Sequence, residues 1–137
     1  LSNAPDYSAT ALAALREMVR QTGENVYGDD GLLQRGVIVR HLILPAHTRN
    51  SLAVLDLLAA EFPGVPVSLM AQYVPMGRVP ADARYADVNR RVTAREYRKV
   101  LDHMMALDLD GFCQERSAAE ARYVPDFTQF DAVPDQK

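Results

Sequence analysis

Apolar positions along the chain follow two spacings, one typical of helices and one typical of strands. Apolar residues that recur every three or four positions predict amphipathic helices, and short continuous apolar runs predict strands. The helices are predicted at residues 7–21, from 48 or 50 to 62, and from a capping box at 93–96 to 107. The strands are predicted at residues 36–44, 66–74 and 112–115. Residues 24–35 follow the first helix, and within them residues 28–31 are interpreted as a polar, turn-rich connection.

The alternating order of helix and strand is typical of an α/β domain with parallel strands. The strand at residues 36–44 is β-branched on both faces, which predicts cover on both sides. Three strands make a thin sheet with two edges to protect, and no strand precedes the first helix. We therefore expect the later part of a larger barrel or sheet.

The composition is that of a soluble globular domain, with 48% hydrophobic and 24% charged residues among 137. A net charge of -3 gives no bulk attraction to nucleic acid. No run approaches the roughly 18 apolar residues of a membrane-spanning helix. The single cysteine, Cys113, excludes an internal disulfide framework and a cysteine-only metal cluster within the chain. These features predict a protein of the reducing cytoplasm.

Two polar residues, Arg40 and His41, interrupt the first predicted strand and point to opposite faces. If both faces are buried, each needs a partner, because an unpaired buried charge costs several kcal/mol. The planar guanidinium of Arg40 also suits a carboxylate, phosphate or ribose ligand. A structural ion pair and a ligand-binding role stay open for Arg40, whereas His41 fits a hydrogen-bonded structural role better.

Gln72 and Tyr73 end the second predicted strand. Parallel α/β folds gather ligand groups at the carboxyl ends of their strands. The two side chains can form hydrogen bonds with a nucleoside or a peptide. Equally, the tyrosine can cover the rim while the glutamine bonds to loop backbone.

Other polar residues give weaker signals. The histidines lie too far apart for metal-ligand spacing, and no phosphate loop or catalytic triad is present. Cys113 is interpreted as a small buried residue rather than a nucleophile. Residues 114–116 can line the same rim as Tyr73, but an ion pair of Glu115 with Arg116 or another arginine is the plainer interpretation. The basic run of residues 90–99 is interpreted as a solvated helix face, with a docking surface as the alternative.

The strand motifs resemble the carboxyl-terminal part of radical S-adenosylmethionine proteins of the pyruvate formate-lyase activating enzyme type. The resemblance rests on residues 39–45 (VRHLILP) and 68–73 (SLMAQY), with support from residues 95–97 and 2–7. It covers nearly the whole chain. It implies the later strands and helices of a TIM-like partial (β/α) barrel over residues 1–125, followed by an irregular tail at residues 126–137.

The resemblance also implies an activity. In this family a [4Fe–4S] cluster, held by three closely spaced cysteines, reductively cleaves S-adenosylmethionine to a 5′-deoxyadenosyl radical. That radical takes a hydrogen from a glycine of a partner enzyme. Arg40 matches the strand arginine that contacts S-adenosylmethionine, while Gln72 and Tyr73 are cofactor-binding candidates by position. Val74 stands where the activating enzymes carry a cofactor-contacting histidine, which departs from the family pattern.

One cysteine cannot hold such a cluster. We therefore expect a fragment that is inert alone, supplies part of the barrel and of the S-adenosylmethionine-binding rim, and self-associates through exposed sheet edges. The cytoplasmic parent enzyme would meet a glycyl-radical enzyme and an electron donor, with no nucleic-acid or membrane partner. The alternatives are a non-catalytic α/β binding or interaction module and radical modification of a small molecule.

Overall fold

The computed structural model describes residues 4–113, in which helices and short strands alternate. The helices are α1 (Tyr7–Thr22), α2 (Thr48–Glu61) and α3 (Ala94–Ala106). The strands are β1 (Val26–Tyr27), β2 (Leu33–Arg35), β3 (Val39–Leu42), β4 (Val67–Met70) and β5 (Gly111–Cys113). Two 3₁₀ segments, Val79–Ala81 and Ala83–Val88, lie between β4 and α3. The predictions for residues 114–116 and for the tail at 126–137 lie outside the described residues.

Strands β3, β4 and β5 form a parallel sheet with β4 in the middle. Its register aligns Arg40 with Ser68, and Ser68 with Phe112. Helix α2 connects β3 to β4, and α3 connects β4 to β5. The predicted α/β fold with a parallel sheet is thus confirmed. The described sheet is open and has not closed into a barrel.

The core lies between the helices and one face of this sheet. Val67 and Leu69 alternate along β4 toward that face and are almost fully buried. Helix α3 packs against them through Val100 and Met104, whose spacing of four residues puts both side chains on one side of the helix. The other main core residues are Leu15, Ile43, Leu55, Leu58 and Phe62.

The opposite face of the sheet carries no helix in the described part of the chain. Arg40 is exposed there, Leu42 is 38% exposed and Phe112 is 53% exposed. The expectation of cover on both faces of the first strand is therefore wrong for residues 4–113. Both helical crossovers run on the same side of the sheet, as crossovers of one handedness between sequential neighbours must. We call the uncovered side the open face.

Residues 24–35 contain two short strands that the sequence did not predict, because β1 and β2 pair as an antiparallel hairpin around the predicted turn at residues 28–31. The Asp30 side chain accepts a hydrogen bond from the Leu32 amide at 3.0 Å, and Gly31 adopts a positive φ of 76°. Aspartate followed by glycine is a strong hairpin signal. Strands of two and three residues are too short for their alternation to be visible in the sequence.

The Asn25 side chain joins this hairpin to the residues that lead into β3. Its oxygen accepts from the Val37 amide at 2.9 Å, and its nitrogen donates to the Val37 carbonyl at 3.0 Å. Gly36 has a φ of +136°, and a Cβ atom there would lie 2.0 Å from the Asn25 oxygen. Only glycine fits this position, because a side chain would both strain the backbone and displace the amide.

The predicted start of α3 is confirmed in detail. The Thr93 hydroxyl accepts from the Glu96 amide at 3.2 Å, and the Glu96 carboxylate accepts from the Thr93 amide at 2.9 Å. This reciprocal capping box satisfies two amides that the helix leaves unpaired. Strand β4 ends at Met70 rather than at residue 74. Among residues 4–113, no helix combines the length and apolarity needed to cross a bilayer.

Candidate functional site

The centre of the open face carries Arg40, Ser68 and Phe112 side by side on three neighbouring strands. Adjacent strands lie about 4.8 Å apart, so the outer two are separated by about 10 Å and a ligand of nucleoside size can touch all three side chains. Arg40 is exposed and has no hydrogen bond or ion pair with any of residues 4–113. Leu42 and Met70 form the next row toward the carboxyl ends of the strands. The face therefore offers one cation, one hydroxyl and an apolar surround.

This arrangement suits a ligand with an anionic end and an apolar or aromatic body. The guanidinium of Arg40 can form two parallel hydrogen bonds to a carboxylate or phosphate. Phe112 and Leu42 can pack against a ring or an aliphatic chain. Water screens an ion pair on an open face, so anchoring by Arg40 becomes stronger once something covers this surface.

The other two predicted binding residues, Gln72 and Tyr73, follow the carboxyl end of β4. Gln72 is exposed and already interacts with another group of the protein, whereas Tyr73 is half-buried. The chain leaves the strand conformation after Met70, so strand alternation no longer sets the direction of these side chains. Arg40 lies within β3 instead. Binding by these three residues stays a prediction.

His41 points to the covered face, where its Nε2 lies 2.9 Å from the Ser51 Oγ of α2. The ring is half-buried, and burial lowers the pKa of His41, because the charged imidazole loses hydration there. Ser51 is itself buried. These contacts support the structural role that the sequence favoured for His41.

Glu96 organises the loops at the carboxyl end of the sheet. Besides capping α3, its carboxylate accepts from the Ala46 amide at 2.8 Å and from Arg90 at 2.7 and 2.9 Å. The Arg90 guanidinium holds the pKa of Glu96 well below its usual range. Ala46 has a positive φ of 63°, so the carboxylate stabilises a strained turn after β3. Only the capping half of this role was visible in the sequence.

Two further histidines connect separate elements. The His47 Nε2 lies 2.8 Å from the Asp87 carboxylate, which joins the start of α2 to the second 3₁₀ segment. The His103 Nε2 lies 2.7 Å from Asp56 and joins α3 to α2. Within residues 4–113, no group of three His, Cys, Asp or Glu side chains is placed to hold a metal ion.

A cleft of about 470 Å³ lies at the amino end of the sheet, opposite Gln72 and Tyr73. Apolar side chains from α1, the hairpin and the α2–β4 turn form much of its wall, and carboxylates line part of it. The lining residues that define it are Val19, Tyr27, Glu61, Phe62, Pro66 and Asp110. Glu61 also forms an ion pair with Arg16.

Over residues 4–113 the fold is an α/β domain in which no helix covers the outer sheet face and Arg40 on that face has no partner. Comparisons with protein-family models, curated proteins and solved structures give no match to this chain. The geometry of the open face and the strand motifs are therefore the basis for a functional proposal.

Proposed function

We propose that this chain supplies part of the S-adenosylmethionine-binding surface of a radical S-adenosylmethionine oxidoreductase resembling the pyruvate formate-lyase activating enzymes. The observation that carries the proposal is Arg40 at the centre of the open face, which is exposed and has no partner within the described residues 4–113. A guanidinium in that position is free to bind the carboxylate of an amino-acid ligand.

The side chains of the open face fit the chemistry of S-adenosylmethionine. Arg40 would bind the carboxylate, and charge repulsion would turn the positive sulfonium away from the guanidinium. Phe112 and Met70 offer apolar surface for the adenine ring, and Gln72 and Tyr73 offer polar groups for the nucleoside. In that family S-adenosylmethionine supplies a radical that abstracts hydrogen. This chain's part would be to bind and orient it.

In this proposal β3, β4 and β5 are later strands of a partial (β/α) barrel. Two features support it: the strands are sequential neighbours, and the connecting helices pack on one face only. A (β/α) barrel keeps its helices outside and its ligand groups toward the inside. The open face would then be the inner face, and further strands would shield Leu42 and Phe112 from water.

The residues present do not fit the [4Fe–4S] cluster of such an enzyme. The chain has one cysteine, Cys113, whereas these clusters are held by several thiolates. The cluster ligands would have to come from sequence outside these 137 residues. We accordingly propose that the chain alone is inert, and we assign no catalytic residue within it.

Calorimetric titration of S-adenosylmethionine into the chain tests the proposal. We expect weak binding that Arg40→Ala reduces by up to about tenfold, because a charged hydrogen bond on a water-screened face contributes at most about 1.4 kcal/mol. Arg35→Ala removes another exposed arginine, from β2, and should leave binding unchanged. Binding that survives Arg40→Ala would show that the assigned role is wrong.

A parent coding sequence without a Cys-x3-Cys-x2-Cys motif upstream would remove the oxidoreductase proposal.

A non-catalytic binding module is the second candidate. It is favoured by the absence, among residues 4–113, of any buried side-chain polar atom without a hydrogen-bond partner. Such satisfaction is what a self-sufficient domain needs. Size-exclusion chromatography over a concentration series separates the two candidates. A monomer at every concentration favours the module, and concentration-dependent oligomers favour a barrel part that completes its sheet in trans.

A further inference from the structure

The outer side of α3 is strongly basic along its first half. Its exposed residues recur at intervals of three and four positions, so they lie along one side of the helix. Val100 and Met104 occupy the other side and are buried. We call this exposed side the α3 stripe, defined by Arg95, Arg98, Lys99, Asp102 and Met105.

The three cations of the stripe have no bonding partner among the described residues. Asp102 lies on the same side of the helix but forms no ion pair with Arg98 or Lys99. Among the other arginines of residues 4–113, Arg16, Arg20, Arg84 and Arg90 pair with carboxylates, whereas Arg35, Arg40, Arg49 and Arg78 have no such partner. The stripe differs from these in placing three unpaired cations together on one side of a helix. Arg20 of α1 binds Glu17 through two hydrogen bonds of 2.8 and 2.7 Å.

Folding alone gives no reason for this concentration of charge. Arg95 lies in the first turn of α3, next to the positive end of the helix dipole, where a cation is unfavourable. Arg95 also has like-charged neighbours three and four positions later, Arg98 and Lys99, which destabilise a helix. The whole chain has a net charge of -3, so the stripe stands apart from the rest of the protein.

We propose that the α3 stripe is a docking surface for an acidic face of a partner protein. Unpaired guanidinium groups bind carboxylates in a bidentate manner, which complements the charge of Arg95 and Arg98. Met105, which is 69% exposed, gives the stripe an apolar end. Arginine and methionine are enriched in protein interfaces. Asp102 within the stripe and the negative net charge both disfavour a nucleic-acid phosphate backbone.

Fluorescence anisotropy with a labelled polyglutamate of about 20 residues tests this surface at low salt, where exposed charges are least screened. We expect the stripe variant R95Q/R98Q/K99Q to bind about tenfold more weakly, because each lost exposed ion pair contributes a fraction of that factor. The matched control R20Q/R35Q/R78Q removes the same net charge elsewhere. It should change binding less than about twofold.

Thermal melting of the same variants separates docking from a structural role. Removing like charges from one helix side should leave the melting temperature of the stripe variant equal to or above that of the natural chain. A lower melting temperature would mean that the cations serve folding, and the proposal would fall. It would also fall if polyglutamate did not bind, if both triple variants lost binding equally, or if a 12-base-pair DNA duplex bound more tightly than polyglutamate.

Discussion

The two faces of the parallel sheet are made from alternate residues of the same strands, yet they have opposite surroundings. Leu69 on the covered face is 1% exposed, whereas Leu42, with the same side chain, is 38% exposed on the open face. The adjacent polar pair differs in the same way, since His41 bonds to Ser51 and Arg40 has no partner among residues 4–113. Cover by the crossover helices, rather than residue type, decides which face forms the core.

The largest expected effect comes from matched leucine truncations on the two faces. Leu69→Ala should lower the free energy of unfolding by about 2–5 kcal/mol, because it leaves a cavity among buried side chains. Leu42→Ala should change it by less than about 1 kcal/mol, because water already reaches that side chain. Urea unfolding monitored by circular dichroism measures both. An equal loss from Leu42→Ala would mean that the open face is covered in solution.

An intermediate effect is expected from Glu96, which fixes the helix layer at the carboxyl end of the sheet. Glu96→Ala should lower the free energy of unfolding by about 2 kcal/mol, because it removes the cap, the Arg90 ion pair and the bond to the Ala46 amide. Thr93→Ala removes only the hydroxyl half of the capping box and should cost about 1 kcal/mol. Chemical denaturation measures both variants. Equal decreases in the free energy of unfolding would show that Glu96 contributes nothing beyond the capping box.

The pH dependence of the Glu96 contribution follows from its lowered pKa. A carboxyl group whose folded pKa is depressed contributes stability that is fully present above the unfolded value, here 4.5, and is lost as the pH falls through the folded value. The difference between the natural chain and Glu96→Gln should therefore be constant at neutral pH and shrink only below 4.5.

The smallest effect concerns His41 on the covered face. Its pKa in the folded chain lies below the unfolded value of 6.5, so its stabilising contribution is complete above 6.5 and declines as the pH falls toward the folded pKa. His41→Gln keeps a hydrogen-bonding group near Ser51 but does not titrate. Melting temperatures measured across this window should fall less in the variant than in the natural chain, because the variant has no buried group to protonate. If the pH profiles of the variant and the natural chain were parallel, burial would not lower the pKa of His41. His47→Gln is the control.

Local periodicity predicted the helices well. The four-residue spacing of Val100 and Met104, with the capping box at Thr93, was enough to place α3. Strand ends were predicted less well, because an apolar run does not show where its pairing partner stops. Strand β4 ends at Met70, opposite the end of β3 at Leu42.

Contacts between distant parts of the chain account for the features that the sequence did not reveal. The bond from the Ala46 amide to Glu96 spans 50 positions, so no local pattern reports it. The exposure of Arg40 is also invisible to local patterns, because it depends on which face of the sheet the connecting helices cover. The resemblance singled out Arg40 by type and position, and the sheet geometry adds that it is exposed and unpaired.

The side-chain amide of Asn25 forms two hydrogen bonds with the backbone of Val37 and so takes the place of a peptide group from a neighbouring strand. The hairpin thus borders the sheet without sharing its ladder of backbone bonds. Separating it from the sheet would break the two bonds to Asn25 but no hydrogen bond between β3 and β4, so we expect the hairpin to open at a lower free energy than the sheet. Gly36 permits these two hydrogen bonds because it has no side chain that would collide with the Asn25 amide.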